Sequence, residues 1–243
     1  MSLARRASAE LTGTGLLVAA VVGSGIMANR LSPDDVGLML LENALATALA
    51  LGALILMFGP VSGGHFNPVV SVADWWLGRR AATGLTARDL AVYVVAQVLG
   101  AVAGSVLANL MFGLPAVTWS HTRRTAGHLW LAETVATAGL VLLIVALARS
   151  RRSAVAPAAV GAYIGAAYWW TASTSFANPA VTIGRAFTDT FAGIAPASVS
   201  GFVAAQLVGG LIAVVAIRWW YPDAERAADM VVVPHAEQEV ISR

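Results

Sequence analysis

Long apolar stretches alternate with short polar links along most of this chain. Each stretch is about 20 residues long, which is the length an α-helix needs to cross the roughly 30 Å hydrocarbon core of a lipid bilayer. The links are rich in arginine, proline, glycine and aspartate, which are typical of helix ends and turns. The pattern predicts six membrane-spanning helices, at residues 8–28, 38–58, 87–112, 129–148, 155–172 and 199–219.

Two shorter apolar runs each begin with an Asn-Pro pair. Asparagine is a strong helix N-cap, and proline is favoured at the first helical position because its missing N–H needs no partner there. Each run therefore predicts a helix of about 15 Å, half of the bilayer core. Two such half-helices in corresponding halves of a membrane protein indicate a pathway at the bilayer centre. The runs are residues 67–77, opened by Asn67-Pro68, and 178–187, opened by Asn178-Pro179.

Composition narrows the functional classes. The 243 residues are 58% hydrophobic and 12% charged, whereas about a quarter of a soluble domain is charged. All fifteen cationic residues are scattered arginines, so nucleic-acid binding has no support. The chain has no cysteine and only four histidines, so we expect no metal and no cofactor. The first thirty residues resemble a signal peptide, but their apolar stretch is long enough to span and has no clear cleavage site.

Arginine distribution predicts the orientation. If both termini are cytoplasmic, eleven of the fifteen arginines lie on the cytoplasmic side. The other four are Arg30, Arg123, Arg124 and Arg185. The sequence therefore predicts a multi-pass protein of the cell's inner (plasma) membrane with both ends inside.

The two halves of the chain repeat the same motifs in the same order. Ala9-Glu10 in the first helix matches Ala132-Glu133 in the fourth, and a threonine follows four residues after each glutamate. With three spans per half, the second half enters from the opposite face, so the repeat is inverted and the half-helices meet N-terminus to N-terminus. We assign residues 1–220 to one channel domain, with repeats at about 5–112 and 128–220, and 221–243 to a cytoplasmic tail, partly ordered at best.

This plan resembles the aquaporin family, the major intrinsic proteins. The resemblance rests on the paired Ala-Glu-x-x-x-Thr motifs, on Ser-Gly-Gly-His-Phe-Asn-Pro at residues 62–68 and on Asn-Pro-Ala at 178–180, and it covers about residues 5–220. It implies an all-α membrane protein with six transmembrane helices and two re-entrant half-helices, assembled as a homotetramer with one pore per subunit. Val69 replaces the family's alanine beside Pro68, which implies a larger contact between the half-helices; the second motif keeps Ala180.

The Asn-Pro motifs predict hydrogen-bond donors in mid-membrane. Helix N-termini carry unpaired N–H groups and partial positive charge, and the amides of Asn67 and Asn178 add donors. Such groups bind a passing hydroxyl or water and oppose cations. Glu10 and Glu133 are either a proton relay or buried acceptors for loop N–H groups; their symmetric pairing and the resemblance favour acceptors. His65 is expected to line the cytoplasmic mouth or to hold the loop.

The resemblance also implies a constriction. Where the family has an arginine after the second Asn-Pro-Ala, this chain has Val181. In the family, three other positions form the constriction with this arginine. Counted without gaps from the Asn-Pro motifs, they correspond to Thr47, Ala166 and Ser175, and Tyr163 and Trp170 are alternatives to Ala166. The constriction is then small and uncharged, and wider than in water-selective members. Arg185, one turn beyond Val181, is expected to face the outer vestibule or a lipid headgroup.

The predicted function is a passive channel for small neutral solutes larger than water, with water also passing. Val181 and the run at residues 173–182 resemble bacterial channels of arsenical resistance, which favours arsenite in its neutral acid form over glycerol-like polyols. The alternatives are a water-selective aquaporin, an ion-coupled transporter and a scaffold with a closed pore. An enzyme has no support, because no nucleophile–base set appears. His121 and His128 are expected to lie in a solvated loop.

Overall fold

The structure, a computed structural model, describes residues 1–221 and 230–232. Within these residues the chain is helical and contains no strand. The predicted spanning helices and half-helices are confirmed, with ends that differ by a few residues. They are α1 (Leu3–Leu31), α2 (Val36–Ser62), α3 (Pro68–Gly78), α4 (Ala87–Met111), α5 (Gly127–Arg149), α6 (Ala156–Trp170), α7 (Pro179–Gly184) and α8 (Pro196–Trp220).

Helix length separates the spanning helices from the half-helices. Among the described helices, α1, α2, α4, α5 and α8 are long and apolar enough to cross a membrane. α6 has 15 residues, and a 3₁₀ turn at Ser153–Val155 leads into it. α3 and α7 have 11 and 6 residues, too short to cross. With α6 and its 3₁₀ turn as the sixth crossing, both ends of the bundle's chain lie at one face, here called the terminal face. The other is the distal face.

The end of α2 was placed at residue 58, before Gly59-Pro60, and this prediction is wrong. The helix continues to Ser62 with Pro60 inside its last turns. A proline there removes only one backbone hydrogen bond of the helix. The helix closes at Gly63, whose φ of 93° is left-handed and whose N–H donates to the carbonyl oxygen of Gly59 at 2.8 Å.

Close backbone contact joins α1 to α4. A side-chain carbon added at Gly100 would lie 2.2 Å from the carbonyl oxygen of Leu11, and one at Gly104 would lie 2.2 Å from that of Gly15. Only glycine permits this approach, which is typical of helices packed in membranes. In the second repeat, α5 packs against α8 in the corresponding way.

A buried glutamate holds the loop that leads into α3. One oxygen of Glu10 accepts from Ser62 Oγ at 2.6 Å and from the N–H of His65 at 3.0 Å. The other accepts from the N–H of Phe66 at 2.7 Å and from Gln97 Nε2 at 2.8 Å. The carboxylate is fully buried, and these four donors replace the water it has lost.

Glu133 holds the loop into α7 in the same way. Its oxygens accept from the N–H groups of Phe176 and Ala177, both at 2.8 Å, and from Gln206 Nε2 at 2.6 Å. Glu133 is also fully buried. Both glutamates therefore have the contacts that the acceptor interpretation requires, at matched places in the two repeats.

The residue before each Asn-Pro pair adopts a strained backbone conformation. Phe66 has φ 49° and Ala177 has φ 47°, in the left-handed region that disfavours side chains. Such a conformation costs roughly 1–3 kcal/mol. The glutamates bind the N–H groups of these same two residues, which offsets the cost. The ring of Phe66 lies so close to α1 that only glycine fits at position 13.

Part of the tail lies inside the fold. Most of residues 221–243, for which partial order at best was predicted, lies outside the described residues. Within the described segment, Val231 and Val232 are each 2% exposed and belong to the main hydrophobic core. Ser153 Oγ donates to the carbonyl oxygen of Met230 at 3.1 Å. This segment therefore packs against the terminal face.

Glu10→Gln tests the support of the first loop. The amide nitrogen of glutamine would replace one of the two oxygens, each of which now accepts two hydrogen bonds. Its N–H₂ group would then lie opposite two donors that have lost their acceptor. Because an unsatisfied buried donor costs about 1–3 kcal/mol, we expect the free energy of unfolding to fall by about 2–6 kcal/mol. Thermal unfolding in detergent measures the change.

Glu42→Gln is the matched control. Glu42 accepts one hydrogen bond, from Ser32 Oγ at 3.0 Å, which a glutamine oxygen can still accept. A smaller loss is expected there. Equal losses for the two variants would contradict the role given to Glu10.

Candidate pore and its constriction

The two Asn-Pro motifs meet at the centre of the bundle and hold each other. Asn67 Nδ2 donates to the carbonyl oxygen of Ala177 at 2.7 Å, and Asn178 Nδ2 donates to that of Phe66 at 2.7 Å. Each asparagine thus binds the residue that precedes the other. The prediction that the half-helices meet N-terminus to N-terminus is confirmed.

Each asparagine also caps its own half-helix. Asn67 Oδ1 accepts from the N–H of Val69 at 3.0 Å, and Asn178 Oδ1 accepts from the N–H groups of Ala180 and Val181 at 3.0 and 3.2 Å. Pro68 and Pro179 occupy the first helical positions. An amide carries two N–H hydrogens, and one of them binds the opposite loop. The second N–H hydrogen of each amide can donate to a molecule in the cavity that both asparagines line.

The cavity beside these amides has a mixed lining. Its apolar residues include Leu17, Val21, Leu51, Ile55, Val70 and Ile164. Its polar residues include Thr47, His65, Asn67, Tyr168, Ser175 and Asn178. The lining therefore presents both apolar surface and hydrogen-bonding groups.

Three of the four predicted constriction residues, Thr47, Ser175 and Val181, line this cavity. All three are buried, at 3%, 2% and 5% exposure. Tyr168 OH donates to Thr47 Oγ1 at 3.3 Å. Ser175 Oγ is buried and has no hydrogen-bond partner among the described residues.

The placement of Ala166 at the constriction is wrong. Ala166 lies on the exposed side of α6, and Tyr168 lines the cavity instead. Side chains two residues apart on an α-helix point in directions that differ by roughly 200°. A spacing error of two residues therefore selects a side chain on the opposite face of the helix. The alternatives also lie elsewhere: Tyr163 OH donates to the carbonyl oxygen of Ala136 at 2.9 Å, and Trp170 is 52% exposed.

A charged residue that was not among the predicted constriction residues also lines the cavity. Arg185 is 2% exposed and lines the cavity. It also lines a vestibule at the distal face, where it was expected. Its guanidinium carbon lies 3.5 Å from the centre of the Phe176 ring, and its Nε donates to the carbonyl oxygen of Ala192. The lining therefore combines a tyrosine ring and a guanidinium with Val181.

His65 and Val69 differ in their relation to the cavity. His65 lines it, with Nδ1 3.1 Å from Ser71 Oγ. Val69 packs with residues of α5 and α8 such as Val141 and Ala213. A side-chain carbon at Gly210 would lie 2.5 Å from Val69 Cγ1, so that glycine makes room for the valine.

The distal loops contain an exposed His–Asp pair rather than a metal cluster. Asp189 accepts from the backbone N–H of His121 at 3.0 Å, and its other oxygen lies 2.9 Å from His121 Nδ1. These hydrogen bonds, the backbone one first, lower the pKa of Asp189. His128 is exposed. In the part of the chain that the structure describes, no group of three or more potential metal-binding side chains occurs.

Comparisons with known proteins agree with this architecture. The family model described as Major intrinsic protein matches residues 1–177. The chain is 54% identical over 217 residues to Aquaglyceroporin AqpS of Rhizobium meliloti, covering 89% of this chain and 90% of the relative. It is 30% identical over 248 residues to Probable aquaporin AqpM of Archaeoglobus fulgidus, covering 91% and 97%.

A solved structure supports the fold. The X-ray structure of the aquaglyceroporin from Plasmodium falciparum superposes with a TM-score of 0.66 at 20% identity, covering 93% of this chain and 100% of that one. Crossed asparagines, two re-entrant half-helices and matched sequence over most of the chain lead to one conclusion. The chain belongs to the major intrinsic protein family.

Proposed function

We propose that this protein is a passive channel for water and for small neutral solutes larger than water. Glycerol-like polyols and neutral metalloid hydroxides such as arsenite in its acid form are the proposed solutes. The observation that carries the proposal is the crossed asparagine pair inside a cavity with a mixed lining, where Val181 stands beside free donors and acceptors.

Polyols and metalloid hydroxides need both kinds of lining. A hydroxyl left without a partner inside the membrane costs roughly 1–3 kcal/mol. The amides of Asn67 and Asn178 and the hydroxyl of Thr47 belong to residues that line the cavity, and they supply such partners. Val70 and Ile164 offer apolar surface to the carbon or metalloid centre.

Passive flow is favoured over ion coupling. A coupled transporter needs a titratable or cation-binding group that changes its state during transport. Glu10 and Glu133 are fully buried, and their oxygens accept hydrogen bonds from loop N–H groups and from glutamines. Protonating either would release the loops that form the pore.

Relatives support the solute class. One relative that matches nearly the whole chain is named an aquaglyceroporin, which favours polyols as well as water. The metalloid part of the proposal rests on Val181, the uncharged side chain at the position where the family has an arginine. A water-selective pore is the second candidate, favoured by Tyr168 and Arg185 because both bring bulk to the lining.

Orientation and assembly are also proposed here. The terminal face, with most of the arginines, is assigned to the cytoplasm. Large apolar side chains such as Leu49, Leu131 and Val215 are 66%, 64% and 63% exposed on the outside of the bundle, as in a protein surrounded by lipid and by other subunits of a homotetramer.

Permeability measured side by side tests the function. Proteoliposomes containing the purified protein should take up glycerol and arsenous acid faster than empty vesicles, and should shrink faster in an impermeant osmolyte. Stopped-flow light scattering follows glycerol and water, and arsenic analysis of the vesicles follows arsenous acid. Water flux alone would favour the second candidate, and uptake above equilibrium under a pH gradient would identify a transporter.

Val181→Arg tests the size of the constriction. A guanidinium at this cavity-lining position would fill space beside Ser175 and Tyr168. We expect glycerol uptake to fall by about tenfold or more, which requires only about 1.4 kcal/mol of added barrier, and water flux to fall much less.

Val181→Leu is the control for charge, because it adds bulk without a cation. An intermediate loss of glycerol uptake is expected. If Val181→Arg lowers water and glycerol flux equally, Val181 does not set the size limit.

A further inference from the structure

Arg185 sits at the boundary between the cavity and the distal vestibule, and it is held from two sides. The Phe176 ring lies against one face of its guanidinium at 3.5 Å, and its Nε donates to the carbonyl oxygen of Ala192. Its two terminal nitrogens make no other hydrogen bond within the described residues, and the side chain lines both spaces. The group is therefore fixed, with donors left for a passing molecule.

No carboxylate forms a salt bridge with this guanidinium among the described residues, and the buried Glu133 acts on it only through space. The salt bridges among the described residues join Arg6 to Asp89 and His121 to Asp189, and neither involves Arg185. The vestibule contains a second arginine, Arg124, whose guanidinium lies 5.2 Å from the same Phe176 ring. No acidic side chain lines that vestibule.

We propose that Arg185 is the charge-selecting residue of this channel, with Arg124 adding to the positive potential at its distal entrance. The inference rests on the proposed function and deepens it: Val181 leaves room for solutes, and the cation that opposes protons and metal ions lies one turn further along. The terminal N–H groups of Arg185 donate to an oxygen of each entering solute. A cation crossing this point meets an unpaired positive charge in a low-dielectric surrounding.

Arg185→Leu tests this assignment. In pyranine-loaded proteoliposomes with a potassium diffusion potential, we expect proton flux to rise by about tenfold or more over the wild type. Arg185→Lys keeps the charge and should keep the exclusion. Arg124→Leu should give a smaller rise, because Arg124 lines the vestibule and not the central cavity.

Glycerol uptake is measured in the same vesicles, so the two proposals can fail separately. If Arg185→Leu takes up glycerol as fast as the wild type and still excludes protons, the role of Arg185 is overturned and the channel function stands. Absence of solute and water flux both in the wild type and in the chain truncated after Tyr221 would overturn the function itself. If Arg185→Leu does not fold, Arg185→Gln removes the charge while retaining a polar side chain, and the same comparison decides.

A different observation concerns the terminal end of the cavity. Val232 lines the cavity together with Ile144, near the end of α5, and Val160, near the start of α6. Val231 and Val232 are buried in the main core, and Ser153 Oγ binds the carbonyl oxygen of Met230. A short apolar segment of the tail therefore borders the terminal side of the cavity.

We infer that Met230–Val232 is an autoinhibitory plug that closes the terminal mouth of the pore. The plug is held by apolar burial and by the single described hydrogen bond from Ser153, so it can leave without breaking the helical bundle. Release opens the pathway, and permeability follows the fraction of molecules in which the plug is out.

Truncation after Tyr221 tests the plug. At equal amounts of reconstituted protein, glycerol and water permeability should rise by at least about twofold if the plug is in place half of the time or more. A chain that ends after Ala236 keeps the segment and should behave as the full chain. Equal permeability of all three chains would overturn the inference.

Val232→Asp tests the same contact without truncation. A carboxylate in this apolar contact would be costly to bury, so the plug should be displaced and permeability should rise. This variant decides the question if the truncated chain does not fold. Reduced or unchanged flux in a folded Val232→Asp protein would contradict the plug.

Discussion

The arrangement of both re-entrant loops depends on two reciprocal hydrogen bonds at the centre of the molecule. Each central asparagine donates to the backbone carbonyl that precedes the other one. For these bonds to form, both loops must reach the middle of the bundle and turn there with left-handed residues. A membrane interior offers no water to irregular backbone, so every loop N–H needs a protein partner. The two buried glutamates meet that need.

The same constraint explains why the centre of the pore is symmetric. Glutamate, glutamine and asparagine recur at equivalent places, and Ser71 and Thr182 each accept from the glutamine of their own repeat, at 3.0 and 2.8 Å. A pore built this way has matched donors from both sides. These donors can bind a neutral hydroxyl that enters from either face of the membrane. The partial positive charge of the two facing helix N-termini disfavours cations.

The two repeats also differ at equivalent positions near the pathway. Arg185 lies seven residues after its asparagine, and Asp74 lies seven residues after Asn67. Asp74 is fully buried and accepts from the N–H of Leu85 at 2.7 Å, whereas Arg185 lines the cavity. Of these two equivalent positions, the one in α3 therefore binds a loop, and the one that follows α7 lines the pathway. Tyr168 and Val232 add further asymmetry, so the two mouths of the pore differ.

The sequence alone determined the fold class, the helices and the central motifs, because apolar length, Asn-Pro capping and paired glutamates are local signals. It also placed Thr47, Ser175 and Val181 correctly in the cavity lining. It missed Tyr168, because loop length decides which face of α6 meets the pore, and gapless counting cannot supply it. A lone arginine in a membrane-buried run was a signal for Arg185, yet only the packing of Phe176 and Ala192 decided where its charge lies. The burial of Val232 depends on a contact between residues far apart in the chain, so it was decided by the tertiary structure.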